Sequence, residues 1–292
     1  MTLSDEFTAG STFGSGYARL GMCNCFDSPV HGKYYFPEKA GVSIVANSSR
    51  SPKHKGVFIT AADTSVGKTT LAAGLVGYLI SHGWDVGVMK PIATGAIECQ
   101  SGRLISQDAE MLVKFAAVRD PWEWINPYSL ASAAVPVVAA KVEKTPIILE
   151  RIQECFHHLS AAHSFIVAEG AGGVMTPLTE SLVIMDLIKT LEIPAIVVTR
   201  AGRNAINQAL MTLQCLKNRE IETLGFFINR FPPKPNLSET TCAELIASLS
   251  GALHLGTIPE LGDTFSQQQL IRTFENSINK DAFEEAFGEL GR

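Results

Sequence analysis

The sequence predicts an α/β fold: a doubly wound, mostly parallel sheet with helices on both faces. Two observations carry that prediction. From residue 56 onward, short apolar runs of strand length alternate with amphipathic stretches of helix length, the rhythm of successive strand–helix crossovers. The first run also leads through a glycine-lysine-threonine turn straight into a helical pattern, a feature of the carboxyl edge of such sheets. The composition agrees, with 46% hydrophobic and 18% charged residues in 292, as in ordinary globular chains.

Taken in order, Gly56–Ala61 (GVFITA) reads as a buried strand and 68–82 as a helix stopped at Gly83. A second strand spans 86–90, and helical patterns cover about 107–118, 132–142 and 146–160. Strands follow at 165–168, Ala195–Thr199 and 224–229, separated by helices near 181–192 and 205–219. A helix near 238–250, a short strand at 255–258 and a C-terminal helix from about 265 complete the series. No internal repeat is present.

Residues 1–55 break this rhythm. They are rich in glycine, serine and small polar types and close in the polar run Ser48 to Lys55. They contain no apolar core of signal-peptide length, and Asp5, Glu6, Asp27 and Glu38 weaken a transit-peptide reading. The expectation is a disordered leader or a start codon placed too early, ahead of an organelle address. Residues 56–292 form the predicted folded domain.

Charge and cysteine usage narrow the partners. Lysine and arginine number 24 against 29 aspartates and glutamates, a formal charge of −5, which argues against nucleic-acid binding through a basic surface. No stretch approaches the roughly 20 unbroken apolar residues of a membrane span. The six cysteines, Cys23, Cys25, Cys99, Cys155, Cys215 and Cys242, lack the C-x-x-C spacing of zinc or redox sites. They read as reduced thiols, most of them core filler. The histidines are dispersed, and adjacent His157 and His158 point to different sides of any helix. A soluble protein acting on a small molecule is the expectation.

The sharpest local signal is 60–70 (TAADTSVGKTT), which follows a strand and opens a helix, the context that a P-loop requires. Backbone N–H groups of the turn and helix N-terminus would hold phosphates. Lys68 adds a cation at the β- and γ-phosphates, and the Thr69 hydroxyl can ligate Mg²⁺. The strict pattern wants a glycine at Ala62. One strand later, 86–95 (VGVMKPIATG) brings Lys90 to a strand's carboxyl end, the same sheet edge as the phosphates. Asp108 sits at a helix start, where an N-cap is the default reading. Glu169 ends an apolar strand and runs into Gly170, Ala171, Gly172 and Gly173. That is the expected place for a second Mg²⁺ ligand, with glycines that let backbone approach a ligand closely. The fold expectation thus sharpens to a P-loop NTPase-like domain.

From about residue 57 to 260 the chain resembles dethiobiotin synthetase, the ATP-dependent ligase of biotin synthesis. The resemblance is carried by 60–70, 89–95 (MKPIATG), 126–128 (NPY), 167–178 (VAEGAGGVMTPL), 200–207 (RAGRNAIN), Asn229 and 255–259 (LGTIP). These occur in the family's order and at about its spacing. The glutamate-glycine run joined to Lys-Pro-x-Ala-Thr-Gly is far more specific than a P-loop alone.

The resemblance implies a cytoplasmic homodimer that takes 7,8-diaminononanoate, CO2 and MgATP. A carbamate forms on one amine, attacks the γ-phosphate and gives a carbamic–phosphoric anhydride; the second amine then closes the urea ring and expels phosphate. It makes Lys68 the phosphate lysine, with Asp63, Thr64, Val66, Gly67 and Thr70 around the nucleotide. Thr69, Asp108 and Glu169 become the Mg²⁺ ligands. Lys90 would neutralise the carbamate and the transferred phosphoryl group. Thr94 would hold the nitrogen end, while Thr64, Gly172 and Gly173 line the pocket. Asn229 and Pro259 would lie at the adenine, and Asn207 would meet the substrate's carboxylate tail from the dimer partner.

The chain departs from the family at several places. Ala61 replaces the family's P-loop glycine, and Ser65 its frequent glutamate. Arg203, Asn204, Ala205 and Gln208 stand where leucine, glycine, threonine and histidine are more usual, and Asn204 can still adopt the left-handed backbone that glycine would supply. The competing readings are a cobyrinate-type amidase, a partition or septum-site ATPase, an idle nucleotide sensor, and a related P-loop ligase acting on another diamine or acid. The first would need a glutamine-hydrolysing domain for which the residues after 260 leave no room. The second uses a signature lysine where Asp63 stands, and retention of Lys90 and Glu169 argues against the third.

Overall fold

The computed structural model describes residues 56–99, 102–262 and 264–288. The leader, its polar linker, Cys23 and Cys25 lie outside the described residues. The chain runs β1 (Gly56–Ala61), α1 (Lys68–Ser81), β2 (Val86–Met89), β3 (Ile92–Thr94), β4 (Ile97–Glu98), β5 (Leu104–Ile105), α2 (Gln107–Ala116) and α3 (Trp122–Ile125). It continues through β6 (Tyr128–Leu130), α4 (Pro136–Val142), α5 (Leu149–Ala162), β7 (Phe165–Glu169), α6 (Ile184–Leu191), β8 (Ala195–Thr199) and α7 (Arg203–Asn218). Then follow β9 (Thr223–Phe231), α8 (Leu237–Thr240), α9 (Cys242–Ser250), β10 (His254–Pro259), α10 (Gln267–Ser277) and α11 (Lys280–Phe287).

A six-stranded parallel sheet in the order β10-β9-β8-β1-β7-β2 forms the centre. Of the four inner strands, β1, β7 and β8 are buried at every residue. That is why their sequences are nearly continuous apolar runs, with polar residues only at or next to their carboxyl ends, rather than alternating ones: parallel strands covered by helices on both faces show no polar side to water. After β1 the chain moves to β2 at one edge, returns through β7, and then crosses to β8 on the other side of β1. The crevice outside a parallel sheet at such a reversal of strand order is where ligands bind, and the loop after β1 opens into it.

Several boundaries differ from the sequence expectation, each for a local reason. The helix expected over 132–142 starts at Pro136, whose fixed φ suits a first helical turn. The backbone just before it is held by Glu143, whose carboxylate accepts from the Ala131 and Ser132 N–H groups. The C-terminal helix divides at Ile278, which bridges to Gly256 while Asn279 caps the second piece with its Oδ1. Helix 238–250 likewise divides into α8 and α9. The pairs β3–β6 and β4–β5 are two or three residues long, below the length at which periodicity is readable.

At the amino edge of the sheet, His163 ties two strand entries together. Its Nδ1 lies 2.8 Å from Asp85 Oδ1 and its Nε2 3.0 Å from Asp120 Oδ2. Asp85 also accepts from the Ser164 N–H at 2.9 Å. A Cβ at Gly87 would fall 2.6 Å from the His163 ring, so β2 needs glycine there. Partial burial acts against the His163 charge, but the two carboxylates outweigh it and raise its pKa above the usual histidine value. His163 in turn holds the Asp85 carboxyl below the ordinary range. A raised folded-state pKa gives stability that is complete below the unfolded value, about pH 6.5, and is lost as pH rises through the folded value. His163→Ala is therefore expected to lower the urea midpoint most at about pH 6 and much less at about pH 9, as read from denaturation curves at both pH values.

Candidate active site

The loop between β1 and α1 is built to surround an anion. Gly67 has φ +84° and stands at the N-cap of α1, which has neither a side-chain cap nor an acidic residue in its first turn. The helix N–H groups are thus left pointing outward with the positive end of the dipole. A side chain at Gly67 would collide with the Asn229 amide. Ser65 also adopts a left-handed backbone, φ 55°.

The side chains that flank the loop come from distant segments and converge at strand ends. Lys90 follows β2, Glu169 ends β7, Asp108 is the second residue of α2 and Thr69 the second of α1. Lys90 Nζ lies 2.6 Å from Asp108 Oδ2, 2.8 Å from Glu169 Oε1 and 3.3 Å from the Gly170 carbonyl. The Thr69 hydroxyl is 2.9 Å from Asp108 Oδ1 and 2.8 Å from Glu169 Oε1, its one hydrogen shared between them. Lys90 and Glu169 are 2% and 1% exposed, so this is a buried ion pair whose energy depends on complete pairing. The helix N-cap expected of Asp108 belongs instead to Ser106, whose Oγ accepts from the Ala109 N–H. Asp108 is thereby free to turn toward Lys90 and Thr69.

The electrostatics are unbalanced in both signs. Burial first, and then the neighbouring Lys90 charge, lower the Lys68 pKa. Burial opposes the Lys90 charge too, but Glu169 and Asp108 overcome it and raise its pKa. Burial pushes the Glu169 carboxyl up, with Asp108 adding to it against the pull of Lys90. Asp108 is lowered despite its burial because Lys90 and Thr69 stabilise its charge. Glu169 Oε2 is buried without a hydrogen-bond partner. Two lysines side by side call for a polyanion. Two carboxylates with an orphaned oxygen and a hydroxyl call for a hard divalent cation. Thr69, Asp108 and Glu169 thus fit Mg²⁺, which takes few protein oxygens and completes its shell with phosphates and water. Among the described residues no group of three His, Cys, Asp or Glu side chains could hold a metal by itself.

These groups line a cleft of about 390 Å³. Lys68, Thr69, Gly67, Lys90, Thr94, Asp108, Glu169 and Gly172 all border it, as do Ser65 and Arg230. The other expected site residues lie around it. Val66 is buried in the loop, Thr70 is half-buried in the first turn of α1, and Gly173 donates its N–H to Thr176 Oγ1. Asp63 and Thr64 are at the exposed loop tip, where Asp63 accepts from the Thr64 N–H and from Gln208 Nε2. Pro259 is exposed at the end of β10. Asn207 is exposed on α7 and borders no part of the cleft. Asn204 is not left-handed: it lies in the first turn of α7, and the positive φ, 120°, falls on Gly202.

Some contacts had no signal in the sequence. Asn229 is buried and donates through Nδ2 to the carbonyls of Val66 and Gly67, at 2.8 and 3.0 Å. Arg200 donates to the Ser65 carbonyl at 2.8 Å. The P-loop is thus held from β9 and from the end of β8. Only the family's motif pointed to Asn229, and nothing pointed to Arg200 as a loop clasp.

A phosphate loop at the switch point of a parallel sheet, facing a buried lysine–carboxylate set, defines a P-loop nucleotide-dependent enzyme. A family model described as an AAA domain matches residues 55–268. The ATP-dependent dethiobiotin synthetase of Nitrosopumilus maritimus is 38% identical over 229 residues, 77% of this chain and 97% of that one. The corresponding synthetase of Thermodesulfovibrio yellowstonii is 35% identical over 214 residues, covering 70% and 89%. Among solved structures, the MinD cell division protein of Aquifex aeolicus aligns with a TM-score of 0.47 at 15% identity, over 76% of this chain and 96% of that one. The chain belongs to the ATP-dependent dethiobiotin synthetase family.

The lowered Lys68 pKa has a measurable consequence. A phosphate ligand needs the charged ammonium, which this lysine loses at a lower pH than an ordinary one does. Nucleotide affinity is expected to start falling below the usual lysine range near pH 10.5. Fluorescent-nucleotide titrations at about pH 7.5, 9 and 10 check this, with Lys68→Met as the pH-insensitive reference.

Proposed function

We propose that this chain closes the ureido ring of dethiobiotin from 7,8-diaminononanoate and CO2 at the expense of ATP, with Mg²⁺ held by Thr69, Asp108 and Glu169. The observation that carries the reading is Lys90: a second buried lysine, fixed against both carboxylates and beside the phosphate-binding lysine. A switch of the partition or septum-site class carries its second lysine in the loop itself, where Asp63 stands here, and not at the end of β2. A reaction that brings a carbamate oxygen against a γ-phosphate gathers negative charge just where Lys90 stands.

In this reading the protein orients its substrates and compensates charge rather than forming a covalent intermediate. Lys68, Gly67 and the N–H groups that begin α1 hold the phosphates, with Asp63, Thr64, Val66 and Thr70 shaping the loop. Bound Mg²⁺ would supply further neutralisation on the phosphate oxygens. Thr94 holds the nitrogen end of the diamine, and Gly172 and Gly173 present backbone to it. Lys90 neutralises the carbamate formed on one amine as its oxygen bonds to the γ-phosphorus and ADP leaves. The second amine then attacks the carbamoyl carbon, closing the ring with loss of phosphate and a proton. Asn229 and Pro259 lie toward the adenine.

Homodimerisation is part of the proposal. Asn207 stands exposed on α7 away from its own cleft, which supports its serving the substrate tail in a second copy. Cytoplasmic residence accords with a pathway of small soluble metabolites and with the absence, among the described residues, of any helix long and apolar enough to cross a membrane.

Phosphate release from MgATP and bicarbonate, with and without 7,8-diaminononanoate and with product mass read in parallel, tests the activity. Diamine-dependent release with a cyclic urea product is expected; release that ignores the diamine would overturn it. Lys90→Met is expected to lower kcat by roughly 10²–10³-fold while nucleotide affinity stays within a few-fold, and turnover like wild type would remove Lys90 from the mechanism. Glu169→Gln is expected to raise the Mg²⁺ concentration for half-maximal turnover by about tenfold or more. An unchanged Mg²⁺ titration would contradict that ligand assignment.

A further inference from the structure

Lys90 lies just past β2, and β2 is an edge strand of the six-stranded sheet. The ladder to β7 ends at the pair Met89 and Ala168. Lys90 also precedes Pro91, which restricts it to extended backbone and gives the next residue no N–H to pair. A side chain that must present its ammonium between two carboxylates therefore hangs from main chain at a free sheet edge.

The segment 125–130 takes the place of the missing strand. The Lys90 N–H donates to the Ile125 carbonyl at 2.7 Å. The Lys90 carbonyl accepts from Asn126 Nδ2 at 2.6 Å, and the second hydrogen of that amide goes to the Tyr128 carbonyl at 3.2 Å. Ser129 Oγ donates to Asn126 Oδ1 and fixes which way the amide faces. The ladder then continues as β3 against β6, pairing Ile92 with Tyr128, Ala93 with Ser129 and Thr94 with Leu130. Asn126 is 4% exposed, and both hydrogens of its amide and its oxygen are engaged. Aspartate would fit the space but would offer no donor to the Lys90 carbonyl.

We infer that Asn126 is a positioning residue for Lys90: it holds the lysine's main chain at the sheet edge, and so sets where the ammonium stands between Asp108 and Glu169. Asn126 does not itself border the cleft and meets its lining only through the Lys90 main chain, so its loss acts on turnover and leaves nucleotide binding intact. The inference rests on the role given to Lys90 under the proposed function.

The test uses the full chain with MgATP, bicarbonate and 7,8-diaminononanoate, each rate being expressed per nucleotide-binding site so that unfolded protein does not count. Asn126→Ala is expected to lower kcat roughly 10- to 100-fold, the cost of misplacing a reacting group by about an ångström, with the KM for ATP within twofold. Ser129→Ala, which leaves the donation to Lys90 in place, is expected to lower kcat only a few-fold and serves as the gentler variant if Asn126→Ala folds poorly. If kcat per site in both variants stays within twofold of wild type, or the KM for ATP rises as much as kcat falls, the positioning role is overturned. Lys90→Met separates the two claims. If it abolishes turnover while Asn126→Ala does not, only this inference fails; if it leaves turnover intact, the reading of Lys90 fails first.

Discussion

The contact of the Lys90 ammonium with Glu169 and Asp108 constrains everything around the cleft. Charges this deeply buried are tolerated only when their partners meet them at hydrogen-bond distance, because the cost of leaving one unpaired is roughly 3–5 kcal/mol. The end of β2, the end of β7 and the start of α2 must therefore arrive together. A shift of β2 by one residue against β7 would also put a valine where Gly87 packs against the His163 ring. Hydrophobic burial selects the sheet, and the ion pair selects one alignment of it at the edge where chemistry takes place. Thr69 extends the same network into α1 and couples the phosphate loop to it.

The cleft holds like charges in two adjacent pairs, Lys68 with Lys90 and Asp108 with Glu169. Each pair repels itself; burial is the larger cause of the lowered Lys68 pKa and the raised Glu169 pKa, and the like-charged neighbour adds to both. Such a site is complementary to a ligand that is itself a polyanion carrying a dication. The division of labour between the lysines follows from their supports. Lys68 begins a helix directly after the loop, whereas Lys90 is fixed by main-chain hydrogen bonds on both sides of its residue.

Much of this was legible in the sequence, for reasons that can be traced residue by residue. Strands β1, β7 and β8 are legible because full burial makes nearly every side chain apolar, Lys90 and Glu169 because each stands at the end of an apolar strand, and Lys68 because it sits in the Gly-Lys-Thr turn that opens α1. Asp108 was harder, since a carboxylate at a helix start is usually a cap; only the structure shows Ser106 taking that task. Asn204 does not use the left-handed backbone open to it, because the positive φ before α7 falls on Gly202, two positions earlier. The Asn126 contacts were invisible. They join residues 36 apart through a four-residue helix, and no periodicity encodes a side-chain amide bound to main chain.

The tethers on the phosphate loop bear on entropy. Asn229 secures two of its carbonyls, Arg200 a third, and Gln208 reaches the Asp63 carboxylate at its tip. Loops of this length otherwise sample many conformations, and each residue that a ligand must order costs on the order of 1–2 kcal/mol. Here most of that ordering was completed during folding, by strands and a helix that close over the loop from behind. The loop with its left-handed Ser65 is thus a rigid mould rather than a flap, and incoming phosphates meet N–H groups already aimed at them.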